Sequence, residues 1–260
     1  MNEEYARLLK VVAALRAPGG CPWDRQQTHK SMAGDLIEEA YELTEAINRD
    51  DCYSTMDELG DVLMQVVLQC QIAAEAGEYD METVCGHLAD KLVHRHPHVF
   101  GDVKVTGTEE VWANWEVLKK QEKGYGERKS ALDGIPSTFP ALMKGAKLCK
   151  RASRTGFDWP DAASVFDKLA EETDELKAEV EQGTPDTVRE ELGDVLFVLC
   201  ALANKLGVRP ELALQEANAK FERRFRAMEQ QITGQGRSLA DCTLAEMDAV
   251  WDRVKAEERK

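Results

Sequence analysis

An all-α chain made of two homologous helical units is what this sequence predicts, on three observations. Segments rich in Ala, Leu, Glu, Lys and Arg carry apolar residues three and four apart, Gly and Pro fall mostly in the gaps, and strand-like alternation is nearly absent. The hexapeptide Glu58-Leu59-Gly60-Asp61-Val62-Leu63 recurs unchanged 133 residues later as Glu191-Leu192-Gly193-Asp194-Val195-Leu196. Glu38-Glu39-Ala40-Tyr41-Glu42 and Glu171-Glu172-Thr173-Asp174-Glu175 share the pattern E-E-x-x-E at the same offset of 133, so motif and spacing are duplicated together.

Helices are expected near residues 3–16, 30–48, 52–76, 81–95, 109–122, 139–153, 162–182, 185–206, 210–233 and 243–259. In the second half, Pro185 after Thr184 and Pro210 after Arg209 fit first-turn positions, while Gly183 and Gly207 fit helix ends. Trp115-x-x-x-Lys119 and Trp251-x-x-x-Lys255 repeat near the end of each half at an offset of 136. The glycine- and charge-rich stretch 123–136 reads as a linker between an N-terminal helical domain, 1–122, and a C-terminal one, 137–260.

Composition narrows the function. Apolar residues make up 43% of the 260 and charged residues 31%, a globular balance rather than a disordered or fibrous one. A formal net charge of −15 argues against nucleic acid as a partner, because backbone binding relies on clustered Lys and Arg. It does not exclude an anionic nucleotide, whose phosphates divalent cations and a few local basic groups can neutralise. The N-terminus lacks the basic start and apolar core of a signal peptide, and no apolar run reaches membrane-spanning length, so a cytoplasmic protein with no membrane partner is expected. Seven scattered cysteines with no C-x-x-C pair read as reduced residues and argue against structural zinc.

The chemistry lies in the acids. On a helix Glu39 and Glu42 share a face, as do Glu58 and Asp61 on the next helix, and a short turn near 48–52 makes the two helices antiparallel neighbours. Four carboxylates can then converge; Glu172, Glu175, Glu191 and Asp194 repeat the set across a turn near 182–185. Such an oxygen-rich site suits Mg²⁺ or Mn²⁺, completed by water and substrate phosphates. A lone E-x-x-E is usually a solvated acidic face. Here apolar residues such as Leu36, Ile37, Leu59 and Leu63 border the acids, and the arrangement is repeated, which favours a cleft. A di-iron bundle would need E-x-x-H pairs, which are missing; all five histidines lie in the first half. No phosphate-binding glycine loop is present, so phosphates must be met by metal and by discrete basic residues. Candidates are Lys91 and Arg95 in the first half and Lys220, Arg223 and Arg224 in the second, with Trp115 and Trp251 able either to stack on a base or to fill a core.

The two copies of E-E-x-x-E and E-L-G-D-V-L resemble the MazG family of nucleoside triphosphate pyrophosphohydrolases. Cys21-Pro22-Trp23-Asp24, His96-Pro97-His98-Val99-Phe100, Gly156-Phe157-Asp158-Trp159 and Lys220-Phe221-Glu222-Arg223-Arg224-Phe225 extend the resemblance to the long, two-domain bacterial form over nearly the whole chain. The resemblance implies tandem MazG-like helical bundle domains, Mg²⁺ dependence, and cleavage of ribo- and deoxynucleoside triphosphates between the α and β phosphates. It also implies a homodimer. By position, Glu172, Glu175, Glu191 and Asp194 are implied as metal ligands of the second domain, with Glu39, Glu42, Glu58 and Asp61 as counterparts in the first. Glu171 and Glu38 are implied to orient or deprotonate water, and Lys168, Lys220, Arg223, Arg224 and Trp251 to contact nucleotide. The first half departs from the family run at His94, which stands where the family has its first Arg, and this favours the C-terminal domain as the dominant one. From the residues alone, a regulatory nucleotide-binding protein and a helical scaffold remain the alternatives to an enzyme.

Overall fold

The computed structural model describes residues 3–120 and 129–258. The side chain of Lys119, the linker residues 123–128 and the last residues of the expected helices 109–122 and 243–259 lie outside this description. The chain divides into two compact units, Met1–Gly126 and Glu127–Lys260.

In the first unit, α1 (Glu3–Arg16), a short α2 (Pro22–Gln26), α3 (Ala33–Asn48), α4 (Cys52–Glu75), α5 (Met81–Arg95), a one-turn α6 (Pro97–Phe100) and α7 (Thr108–Lys120) follow one another. α2 and α6 are additions to the expected elements, each started by a proline at its first position, where the missing N–H costs nothing. α3 begins at Ala33 rather than 30 because residues 28–31 close a side-chain turn in which Ser31 Oγ accepts from the Thr28 N–H and Thr28 Oγ1 from the Ser31 N–H.

The α3–α4 hairpin carries the acids. Asp50 takes a positive φ of 54° in the turn, and Asp51 caps α4 by accepting from the N–H groups of Tyr53 and Ser54. Beneath the hairpin, Val12, Met32, Val67 and Leu68 form a buried core with Leu8, Leu9, Met64, Ile72 and Met81 packed against it. Arg16, nearly buried, pairs with Glu75 at 2.8 Å and donates to the carbonyls of Asp24 and Gln27, fixing the loop between α1 and α3 to the far end of α4.

The second unit repeats the hairpin. α8 (Ala141–Ser153), α9 (Ala162–Gln182), α10 (Pro185–Lys205), α11 (Pro210–Thr233), a 3₁₀ turn (Leu239–Asp241) and α12 (Leu244–Glu257) build it. Thr184 caps α10 as Asp51 caps α4, accepting from the Thr187 N–H. α8 lies close against α10: a Cβ added to Gly145 would stand 2.9 Å from Cys200 Sγ, so only glycine permits this approach. Val165, Val198, Ala201 and Leu202 form one buried core; Met228, Ile232, Val250 and Val254 form another between α11 and α12. Part of the expected linker is ordered into this unit, where Asp133 accepts from the N–H groups of Lys129 and Ser130 and the Ala131 carbonyl lies 3.5 Å from Arg151. All seven cysteines are free thiols; Cys70 and Cys200 are buried, and burial, its largest cause, pushes the half-buried Cys149 up to about 11.

Candidate metal and nucleotide site

In each unit the helical hairpin brings acids from two turns of one helix against acids from the second and third turns of the next. Glu39, Glu58 and Asp61 offer carboxylate oxygens that all lie within 4.8 Å of one another, and Glu172, Glu175 and Glu191 do the same in the second unit. The expectation of four converging carboxylates is thus met by three in each case. Glu42 stands just outside the first trio and Asp194 just outside the second, yet both act on their neighbours electrostatically. The units differ in which member stands off, because the distance across the hairpin depends on side-chain rotamers as well as on helical phase.

Crowding shows in the protonation behaviour. Partial burial, then repulsion from Asp61 and Glu42, holds Glu39 above the ordinary carboxylate range. Glu58 is raised by desolvation and by Glu42 and Asp61; Glu191 is raised by desolvation and by Glu175, Asp194 and Glu172. A divalent cation bound among these oxygens would relieve both costs.

The second site contains its own counterion. Lys168 Nζ lies 2.7 Å from Glu171 Oε1 and 2.7 Å from Glu172 Oε1, and these hydrogen bonds raise the lysine's pKa. Glu172 is the buried acid of the set, 7% exposed. Glu171 and Glu38 lie on the exposed side of their helices, next to but outside the trios.

These paired acids and their repetition carry into a comparison with known sequences. The profile of the MazG nucleotide pyrophosphohydrolase domain matches this chain twice, over residues 27–100 and 161–228. The chain belongs to the MazG family. It is 44% identical to the nucleoside triphosphate pyrophosphohydrolase of Escherichia coli (strain K12), covering 97% of each chain. It is 41% identical to the nucleoside triphosphate pyrophosphohydrolase/pyrophosphatase MazG of Thermotoga maritima, over 96% of this chain and 95% of that one. Among solved structures, a MazG-related protein from Thermotoga maritima matches with 28% identity and a TM-score of 0.39, covering 45% of this chain and 99% of that one.

Within this MazG protein the expected nucleotide contacts fall into two groups. Lys168 is part of the acidic hairpin. Arg223, Arg224 and Trp251 belong instead to the α11–α12 pair: both arginines bind Glu258, at 3.0 and 2.7 Å, and Trp251 packs against Phe221 with ring centroids 5.3 Å apart. Lys220 is exposed on the same helix. Among the described residues, no hydrogen bond or ion pair joins this basic helix to the acids of α9 and α10. In the first unit, Arg95 lies over the Trp115 ring at 4.9 Å, while Lys91 is half-buried and His94 exposed.

Two residues escaped the sequence reading. Glu258, anchor of both arginines, sits at the end of α12 with no motif to mark it. Gln65, 2% exposed, lies one turn after Asp61, near enough to Glu39 to act on its carboxylate. An amide within the apolar run Val62 to Leu68 was its signal.

Proposed function

We propose that this protein hydrolyses nucleoside triphosphates to the monophosphate and pyrophosphate with Mg²⁺, Mn²⁺ substituting, and that the second unit does most of the work. The observation that carries this reading is the carboxylate trio, repeated at one register in both units of a MazG-family chain. Glu172, Glu175, Glu191 and Asp194 would hold the metal in the second unit, and Glu39, Glu42, Glu58 and Asp61 in the first. Bound there, Mg²⁺ supplies charge neutralisation at the phosphates and a more acidic water.

The residues themselves do the rest. Lys168, freed from Glu171 and Glu172, turns its ammonium to a phosphate oxygen; Lys220, Arg223, Arg224 and Trp251 bind the remainder of the nucleotide. Glu171, released from the same ion pair, accepts the proton of the attacking water, with Glu38 its first-unit counterpart. Water oxygen bonds to the α phosphorus, the bond from that phosphorus to the bridging oxygen breaks, and pyrophosphate leaves with the electron pair. The weaker first site follows from His94, which cannot make the forked phosphate contact of an arginine.

A homodimer fits the surface. Gly60 and Gly193 occupy mid-helix positions where an added Cβ would meet nothing in this chain, and exposed Met56, Leu59, Leu63 and Val66 on α4, and Leu192, Leu196 and Leu199 on α10, flank them. Mid-helix glycine costs about 1 kcal/mol relative to alanine, and a second copy packed closely on these stripes offsets it. Among the described residues, no helix is long and apolar enough to cross a membrane.

The deciding experiment is incubation with ATP and Mg²⁺ followed by separation of products. AMP with pyrophosphate is expected. ADP with phosphate, or intact ATP, would overturn the proposal.

A further inference from the structure

Arg223 and Arg224 are consecutive on α11, so their side chains leave the helix about 100° apart. One carboxylate nonetheless holds both: Arg223 Nε donates to Glu258 Oε1 at 3.0 Å and Arg224 Nε to Glu258 Oε2 at 2.7 Å. The post itself is fixed. Glu258 directly follows α12, its N–H donates to the Val254 carbonyl at 3.2 Å, and Val254 is buried in the core that joins α11 to α12. Hydrogen bonding from Arg224, before every other influence, holds the Glu258 carboxyl below the ordinary carboxylate range, so it is ionised at neutral pH. Trp251 lies two turns earlier on the same face of α12, against Phe221.

The atoms used are informative. A guanidinium carries one N–H on Nε and the rest on its two terminal nitrogens, and it meets oxyanions with an edge of this fork. Glu258 takes the Nε of each arginine; among the described residues, the terminal nitrogens of both make no hydrogen bond or ion pair. Two positive charges share one negative, which leaves a net positive charge at the surface. The Arg223 side chain is 63% exposed, and so long a side chain explores many rotamers when nothing holds it. Ordering it around an anion costs entropy, and a prior tie to Glu258 lowers that cost. The carboxylate also repels phosphate, but across the width of the guanidiniums and at a salt-screened surface, whereas the tie acts at hydrogen-bond distance. As a mere tether of α12 the pair would add little, because exposed ion pairs stabilise weakly and the apolar core already joins the two helices.

We infer that Glu258 is a positioning residue for triphosphate binding: it holds Arg223 and Arg224 side by side at Nε and leaves their terminal nitrogens to phosphate oxygens. The inference rests on the proposed role of these arginines as nucleotide contacts. Glu258 itself touches no phosphate and takes no part in the bond changes. Its loss therefore weakens the capture of nucleotide and spares the chemical step.

The test uses the full chain with Mg²⁺, ATP hydrolysis for kcat and KM, and calorimetric binding of α,β-methylene-ATP, whose carbon bridge resists the proposed cleavage. Glu258→Ala should raise KM and weaken analogue binding by roughly tenfold, the cost of ordering two long side chains. Its kcat should stay within about twofold of wild type, as the loss of uniform binding requires. Glu258→Gln, which keeps one acceptor oxygen, should fall between. Arg223→Ala/Arg224→Ala should weaken analogue binding by itself, and adding Glu258→Ala should cost nothing further, because the carboxylate then has nothing to hold. Circular dichroism and melting curves check that each variant is folded. Glu258→Ala protein that binds the analogue as tightly as wild type, or more tightly, would overturn the inference. So would an equal loss with and without the arginines, which marks a tether of α12 rather than a clamp. If removing both arginines leaves analogue binding intact, the nucleotide-contact reading fails and the inference falls with it; if only Glu258 is silent, that reading stands and the inference alone is lost.

Discussion

Glu172→Gln offers the sharpest comparison between the two units. The side chain keeps its size but loses its charge, at a position that is buried, paired to Lys168 at 2.7 Å and part of a trio packed within 4.8 Å. Two unit charges 4 Å apart interact by about 4 kcal/mol at an effective dielectric near 20, so a divalent ion in this group loses several kcal/mol of attraction when one carboxylate is neutralised. Part of that is returned because the remaining acids repel less and Lys168 is freed. A net loss of about 3 kcal/mol corresponds to roughly a hundredfold fall in kcat/KM. Glu39→Gln makes the matching change in the first unit, where the proposed division of labour leaves most of the turnover intact. The assay is pyrophosphate release under identical Mg²⁺ and ATP, with circular dichroism confirming that both variants stay helical. Equal losses would show two comparable or coupled sites, and a larger loss from Glu39→Gln would reverse the assignment.

Other outcomes follow from the same chemistry. EDTA should abolish hydrolysis and added Mg²⁺ or Mn²⁺ restore it, since the ligand set is all oxygen; full turnover in metal-free buffer would reject the carboxylate mechanism. Several ribo- and deoxynucleoside triphosphates should be cleaved at similar rates, and a preference for one base by orders of magnitude would refute this breadth. Acid should weaken metal binding: the raised carboxyls of Glu39, Glu58 and Glu191 take up protons as pH falls from 7 toward the ordinary carboxylate range, and each proton competes with the cation. Mn²⁺ affinity that is unchanged between pH 7 and pH 5 would contradict this. The stability sign is also fixed. A raised carboxyl binds protons more readily in the folded chain than in the unfolded one, so its charged form costs stability at neutral pH, and this cost is relieved as pH falls through the raised value. Metal-free Glu39→Gln protein should therefore melt higher than metal-free wild type at pH 7; a lower melting temperature would count against the crowding of these acids.

The helices, their order and their duplication were legible in the sequence because each rests on local rules. Apolar spacing and punctuation by Thr184, Pro185 and Gly183 act within a few residues of one another. The acidic set was legible for the same reason: positions three and four apart share a face, and a short turn makes neighbours of two helices. Only the tertiary structure decided which acids meet. Glu42 and Asp194 obey the same spacing as their partners yet stand off, because distances across the hairpin are set by rotamers and inter-helix packing, which no periodicity encodes. The same holds for Lys168 spanning Glu171 and Glu172, for Arg223 and Arg224 converging on Glu258, and for the buried, unpartnered oxygen of Gln65. Sequence fixes what each side chain is able to do; the fold, by excluding water from some and placing partners beside others, determines what it does.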